Sequence, residues 1–210
     1  MARRDSLKRR PATREPRRRF TLFCEGSKTE PGYFDAVKVR HRDAMIEVNI
    51  VAAGAVPMTL ATQAVEARKA RIKRGDSHES DDEIWIVVDR DTHPNFDKAM
   101  ELCRVGGVKV ARSNPCFELW LILHYEHYDR PGTNKDVQRH FQTLCKVYQR
   151  SKGKQADCAP LLGKIEEAER RATKQLQARE RDSKPFHPPS TTVGHLTAAM
   201  RIAAEKFRGK

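Results

Sequence analysis

Glu83-Ile-Trp-Ile-Val-Val-Asp-Arg-Asp91 is the stretch on which the fold of this 210-residue chain turns. The near-continuous apolar run Ile84–Val88 fits a strand buried on both faces, the usual situation in a parallel sheet. It stops at Asp89-Arg90-Asp91, where two acids stand two residues apart, so an extended backbone points both the same way. Upstream, Arg19-Phe-Thr-Leu-Phe-Cys24 is short, β-branched and aromatic, and halts at Glu25-Gly26, which predicts a first strand followed by a turn. A helix is expected from Thr29 to about Arg42, with Tyr33, Phe34 and Val37 as its apolar face. A second strand is expected over Met45–Ala52, where Ile46, Val48 and Ile50 alternate, and a helix over Met58–Arg74. Gly75 to Asp82 reads as a polar, acidic loop before the decisive strand.

Downstream, His93-Pro94-Asn95 leads into a helix to about Arg104, Gly106-Gly107 turns the chain, and Val108–Ala111 makes a fourth strand. Ser113-Asn114-Pro115 reads as a helix start, with Asn as cap and Pro in the first turn, opening a very apolar helix from Cys116 to Glu126. Strand and helix thus alternate four times. That pattern predicts an α/β fold: a four-stranded, mostly parallel sheet flanked by helices. Beyond Asp129, Lys135–Arg150, Pro160–Arg181 and Thr191–Phe207 read as helices, with Pro185–Pro189 separating the last two. The expected organisation is a basic, disordered arm over 1–19, an α/β core over 20–128, and a helical appendage over 129–210 packed on the core.

Net charge is +13, and the excess is uneven: residues 1–19 hold nine Arg or Lys against Asp5 and Glu15. A basic arm of this kind finds a polyanion, and nucleic acid is the expected partner; a solubilising tail is the plainer alternative. No stretch is apolar for long enough to cross a membrane, and no apolar segment follows the N-terminal arginines as in a secretory signal. Cys24, Cys103, Cys116, Cys145 and Cys158 are scattered, with no CxxC pair, and read as buried reduced thiols of a cytoplasmic protein.

In a parallel sheet the strand carboxyl ends share one edge, and ligands bind in the crevice there. Glu25 should lie just past the first strand and Asp89 and Asp91 at the end of the third, so three carboxylates distant in sequence converge. A cation is the usual reason for clustering acids, and oxygen-only ligands suit Mg²⁺ held together with substrate phosphates. Alone, the Asp89-Arg90-Asp91 pair could equally be a solvated surface turn. Glu118 falls in the first turn of the apolar helix, either as a fourth ligand or as a charge complementing the helix dipole. Lys28, in the turn after Glu25, either holds a scissile phosphate or is a solvated loop lysine; Glu30 reads as a cap of the helix that follows. His93 is weighed as a base beside the metal but more simply structures the turn, and Trp85 and Trp120 read as core. Gly26-Ser27-Lys28-Thr29 lacks the first glycine and the Gly-Lys step of a phosphate-binding P-loop, so ATP binding by this chain is rejected.

Phe23-Cys24-Glu25-Gly26 together with Asp89-Arg90-Asp91 resembles the Toprim pattern of topoisomerases, bacterial primases and several nucleases. More specifically, residues 24–34 (Cys-Glu-Gly-Ser-Lys-Thr-Glu-Pro-Gly-Tyr-Phe), 89–97 (Asp-Arg-Asp-Thr-His-Pro-Asn-Phe-Asp), 113–125 (Ser-Asn-Pro-Cys-Phe-Glu-Leu-Trp-Leu-Ile-Leu-His-Tyr) and 189–193 (Pro-Ser-Thr-Thr-Val) resemble the RloB family, over roughly residues 20–200. The resemblance implies a Toprim-like core and a Mg²⁺-dependent nuclease, with Mn²⁺ a possible substitute, cleaving DNA or RNA. It further implies the effector of an anti-phage, abortive-infection system with an ATPase partner. By position, Glu25 matches the Toprim glutamate and Asp89 and Asp91 its aspartates, while Glu118 belongs to the RloB block. The second reading is a non-cleaving Toprim-like module that docks an ATPase or nucleic acid, alone or as an oligomer. A topoisomerase or primase would need domains for which the chain has no room.

Overall fold

The computed structural model describes residues 18–42, 45–50, 56–74, 82–90, 95–148 and 157–208, with the backbone alone at 45–50 and 74. The basic arm up to residue 17, Asp91 and His93 lie outside the described residues. The fold is α/β, with strand and helix alternating as the sequence pattern implies: β1 (Arg19–Cys24), α1 (Thr29–Arg40), β2 (Met45–Ile50), α2 (Pro57–Arg74), β3 (Glu83–Asp89), α3 (Phe96–Val105), β4 (Lys109–Asn114) and α4 (Glu118–Tyr125). The C-terminal part is helical: α5 (Asn134–Leu144), a 3-10 turn (Ala159–Lys164), α6 (Ile165–Arg181) and α7 (Val193–Arg208), interrupted by the two-residue strand β5 (Ser190–Thr191).

The sheet order is β2-β1-β3-β4-β5. The first four strands run parallel, and β5 pairs antiparallel with β4 through Ser113 opposite Thr191 and Asn114 opposite Ser190. The chain moves from β1 outward to β2, then crosses back to β3 and continues to β4. The strand order therefore reverses between β1 and β3, which is where open α/β sheets form their ligand crevice.

The central strand β3 is buried along Glu83–Val88, and its alternating side chains feed two separate cores. Trp85 and Val87, with Phe20, Leu22 and Cys24 of β1, join α1, α4, α5, α6 and α7 on one face. Ile84, Ile86 and Val88, with Phe23, join α2 and α3 on the other. Leu119–Leu123 of α4 are completely buried, because the helix is enclosed by the sheet on one side and by α5 and α6 on the other. An all-apolar helix is stable only in such surroundings. All five cysteines are free and buried.

Two sequence readings are corrected. Ser113-Asn114-Pro115 is not a helix start: Ser113 and Asn114 finish β4, Pro115 follows a cis peptide bond, and α4 begins only at Glu118. The Asn114 amide is unavailable as a cap because its Nδ2 donates to the Phe186 carbonyl at 2.9 Å. Thr191, read as the opening of the last helix, belongs with Ser190 to strand β5, and the helix begins at Val193. Their hydroxyls work as backbone surrogates beside β4: Ser113 Oγ and Thr191 Oγ1 lie 3.0 Å apart, and Thr192 Oγ1 accepts the Arg112 N–H at 2.9 Å. The Thr192 N–H also donates to the Arg112 carbonyl at 2.9 Å, so these side chains add to a backbone ladder.

Candidate metal and nucleic-acid site

Glu25 leaves the end of β1 with its N–H donating to the Val87 carbonyl of β3 at 3.3 Å, which ties the start of the turn to the neighbouring strand. Its carboxylate is half-buried, with Oε2 shielded from solvent. Asp89 closes β3 and pairs in register with Ser113; the Arg90 N–H continues the ladder to the Ser113 carbonyl at 2.7 Å. The pleat puts Asp89 on the same face as Trp85 and Val87, toward α4. Glu25 and Asp89 therefore stand at the carboxyl ends of the two strands between which the order reverses.

Glu118, the first residue of α4, is 2% exposed, and its Oε1 accepts the Tyr148 hydroxyl at 2.6 Å. Between Asp89 and Glu118 lies Cys116. Burial drives this thiol's pKa well up, and the negative charges of Glu118 and Asp89 add to the effect, so the sulfur stays protonated. Both carboxylates thus act on one group from one side of the sheet. Glu30, read from sequence as a cap, is buried in the first turn of α1. Its carboxylate lies over Gly26, where a Cβ would come within 2.0 Å of Oε2, so residue 26 has no room for a side chain. Burial raises the Cys24 thiol, and the Glu30 and Asp35 charges reinforce it. The whole edge on this face is electronegative.

Lys28 occupies the position just before α1 and is exposed, with its backbone carbonyl accepting the Gly32 N–H at 2.9 Å. The structure brings Glu25, Asp89 and Glu118 to one edge; Asp91 belongs to the undescribed segment that follows Arg90. Among the described residues, no three His, Cys, Asp or Glu side chains form a group able to hold a metal ion. The donors at the edge are carboxylate oxygens, the chemistry of a hard cation, and the soft donor nearby is held as a neutral thiol.

The other face of the same edge carries cations. Arg90 lies over the Phe96 ring at 5.1 Å and Arg112 of β4 over the Phe186 ring at 3.1 Å. Burial lowers the Arg112 pKa to about 10, and the charge of Arg90 contributes to the fall. Arg112 and Tyr148 did not stand out in the sequence, because their partners Phe186 and Glu118 lie 30 or more residues away.

A mostly parallel sheet flanked by helices, with acidic residues at the edge where its strand order reverses, makes this an open α/β protein. Residues 20–200 match the model of the RloB-like protein family, and the chain belongs to that family. Comparison with curated proteins gives no match. Among the described residues, no helix is long and apolar enough to cross a membrane.

Proposed function

We propose that this chain is a Mg²⁺-dependent nuclease of the Toprim type, hydrolysing phosphodiester bonds in nucleic acid. The observation that carries the reading is the placement of Glu25 and Asp89 at the carboxyl ends of β1 and β3, on either side of the point where the strand order reverses. Glu25, Asp89 and Asp91 would hold the ion, Asp91 completing the set from the segment after Arg90. A bound divalent ion lowers the pKa of water and offsets charge that builds on the phosphate. Glu118 would be a fourth, supporting ligand, its Oε1 oriented by the Tyr148 hydroxyl. Exposed Lys28 is free of the core and positioned to meet a substrate phosphate. The family resemblance extends the proposal to an effector in anti-phage defence that works with an ATPase partner.

A second reading, a module that binds nucleic acid or an ATPase without cleaving it, is favoured by the Glu118–Tyr148 hydrogen bond, which gives one oxygen of that acid a partner within the protein. The deciding experiment is a cleavage assay on plasmid, linear DNA and tRNA, with Mg²⁺ and with Mn²⁺. Wild type is run beside Glu25→Gln and Asp89→Asn, each checked by circular dichroism. Metal-dependent cleavage that drops at least a hundredfold in both variants is expected. Cleavage that survives both removes the acidic edge from the chemistry.

A further inference from the structure

Seven arginines among the described residues are partly buried: Arg18, Arg19, Arg71, Arg112, Arg171, Arg179 and Arg201. Removing a guanidinium from water is costly unless a carboxylate compensates. Six of the seven follow that rule. Arg18 pairs with Glu83, Arg19 and Arg71 with Asp82, Arg171 with Glu167, Arg179 with Asp129 and Arg201 with Glu169. Arg112 does not: among the described residues no carboxylate comes within ion-pair distance of it. Burial is the main influence on it and the charge of Arg90 adds to the same effect; Asp97, too far for an ion pair, offsets them only in part, so the charged form is disfavoured.

The pair is held in place. Arg112 lies opposite Val88 in the β3–β4 register, and Arg90 follows two residues later along β3, so both project to the α2–α3 face. The Phe186 ring fixes the plane of the Arg112 guanidinium. Phe186 adopts φ 63°, an unusual backbone conformation for a bulky residue, and the Asn114 amide holds its carbonyl. Arg90 rests on Phe96, the first residue of α3, whose helix start favours a negative charge. The one carboxylate at hand, Asp97, is 3.9 Å from Arg90 and 88% exposed, so it screens Arg90 only weakly.

We propose that Arg90 and Arg112 form a phosphate-binding site for a phosphodiester of a nucleic-acid strand lying across the carboxyl edge, on the opposite face of the sheet from Asp89. The site rests on the nucleic-acid part of the reading above and not on cleavage. A guanidinium whose plane is fixed by a ring offers its N–H edge for bidentate contact with a phosphate, and a second guanidinium supplies the remaining charge. The anion relieves the repulsion that the free protein carries. Two phosphate positions, one at the acidic edge and one at the arginine pair, would set the strand's direction across the crevice.

The test is fluorescence anisotropy of a labelled single-stranded oligonucleotide with EDTA present, so that no metal-dependent cleavage occurs, at several salt concentrations. Arg112→Gln and Arg90→Gln are each expected to weaken binding about tenfold and to reduce the slope of log affinity against log salt by about one. Arg170→Gln removes an equal charge from the exposed side of α6 and should leave both readings within twofold of wild type. Arg90 is exposed at a strand end, so its variant keeps the test valid if Arg112→Gln unfolds. Unchanged affinity and slope in a folded Arg90→Gln or Arg112→Gln overturns the site. So does a loss of ATP binding with no loss of oligonucleotide binding, which would assign the pair to a free nucleotide. Weakened oligonucleotide binding in the variants, beside a wild type that cleaves nothing, retains the site and removes the nuclease reading.

Discussion

The two faces of the sheet bury different chemistry. The face covered by α2 and α3 is hydrocarbon: Phe23, Leu60, Ala61, Ala64, Val65, Ile84, Ile86, Val88, Phe96, Ala99 and Val108, with the Cys103 thiol. The face covered by α1 and α4–α7 encloses Glu118, His124, Glu169, Gln175 and Thr197 as well as a larger aromatic cluster. Apart from Gln175 Oε1, which is buried without a hydrogen-bond partner, these polar groups are answered. Tyr148 donates to Glu118, Thr197 and Arg201 donate to Glu169, and Gln175 donates to the Tyr128 carbonyl at 2.8 Å. His124 lies 3.0 Å from the Trp120 carbonyl through Nδ1 and 3.1 Å from the Tyr33 hydroxyl through Nε2. A neutral ring with its proton on Nδ1 satisfies both, donating to the carbonyl and accepting from the hydroxyl. Among the described residues the buried cluster under α2 and α3 holds no histidine or carboxylate, with Arg112 only at its rim, whereas the other face encloses His124, Glu118 and Glu169.

The largest effect should come from Trp120→Ala. Trp120 is fully buried and packs edge-on against Tyr33 and His124, so the cavity should cost about 3–5 kcal/mol in urea unfolding. A loss under about 2 kcal/mol would mean that the polar face is loosely packed.

The next effect tests the pH contrast directly. Burial lowers the His124 pKa to about 4 from an unfolded value of 6.5. The unfolded chain therefore binds the extra proton first as pH falls. The stability this group contributes is full above pH 6.5 and is lost progressively down to about pH 4. Wild type should be about 2 kcal/mol less stable at pH 5 than at pH 7, and His124→Gln, though weaker at pH 7, should show a much flatter profile. His41, also lowered by burial and by Arg40, leaves a residual slope of the same sign. An unchanged slope in His124→Gln would place the titration elsewhere.

The smallest effect belongs to the hydrocarbon face. Ile86→Val should cost about 1 kcal/mol, and the same amount at pH 7 and pH 5. A pH-dependent cost there would erase the distinction between the faces.

The legible parts of this molecule were those written in local pattern. The apolar run before Asp89 identified the central strand, and with it the edge where Glu25 and Asp89 meet. Trp85 and Trp120 were readable as core from their apolar neighbours. What escaped depended on pairings across long loops. Asn114 looks like a cap beside a proline until Phe186, 72 residues on, takes its amide. Thr191 looks like a helix start until β4 is beside it. Arg112 is one of 41 Lys and Arg residues in the sequence, and only the register shows it to be half-buried beside Arg90.

The two-residue strand β5 also has a consequence for how the chain is made. Seventy-five residues separate the end of β4 at Asn114 from Ser190. During N-to-C synthesis, the four parallel strands are complete long before that cover exists. Throughout that interval the outer edge of β4 presents unpaired backbone groups to whatever extended segment is near, another nascent copy included. Thr191 and Thr192 then end a period of exposure on the ribosome as much as they complete a sheet.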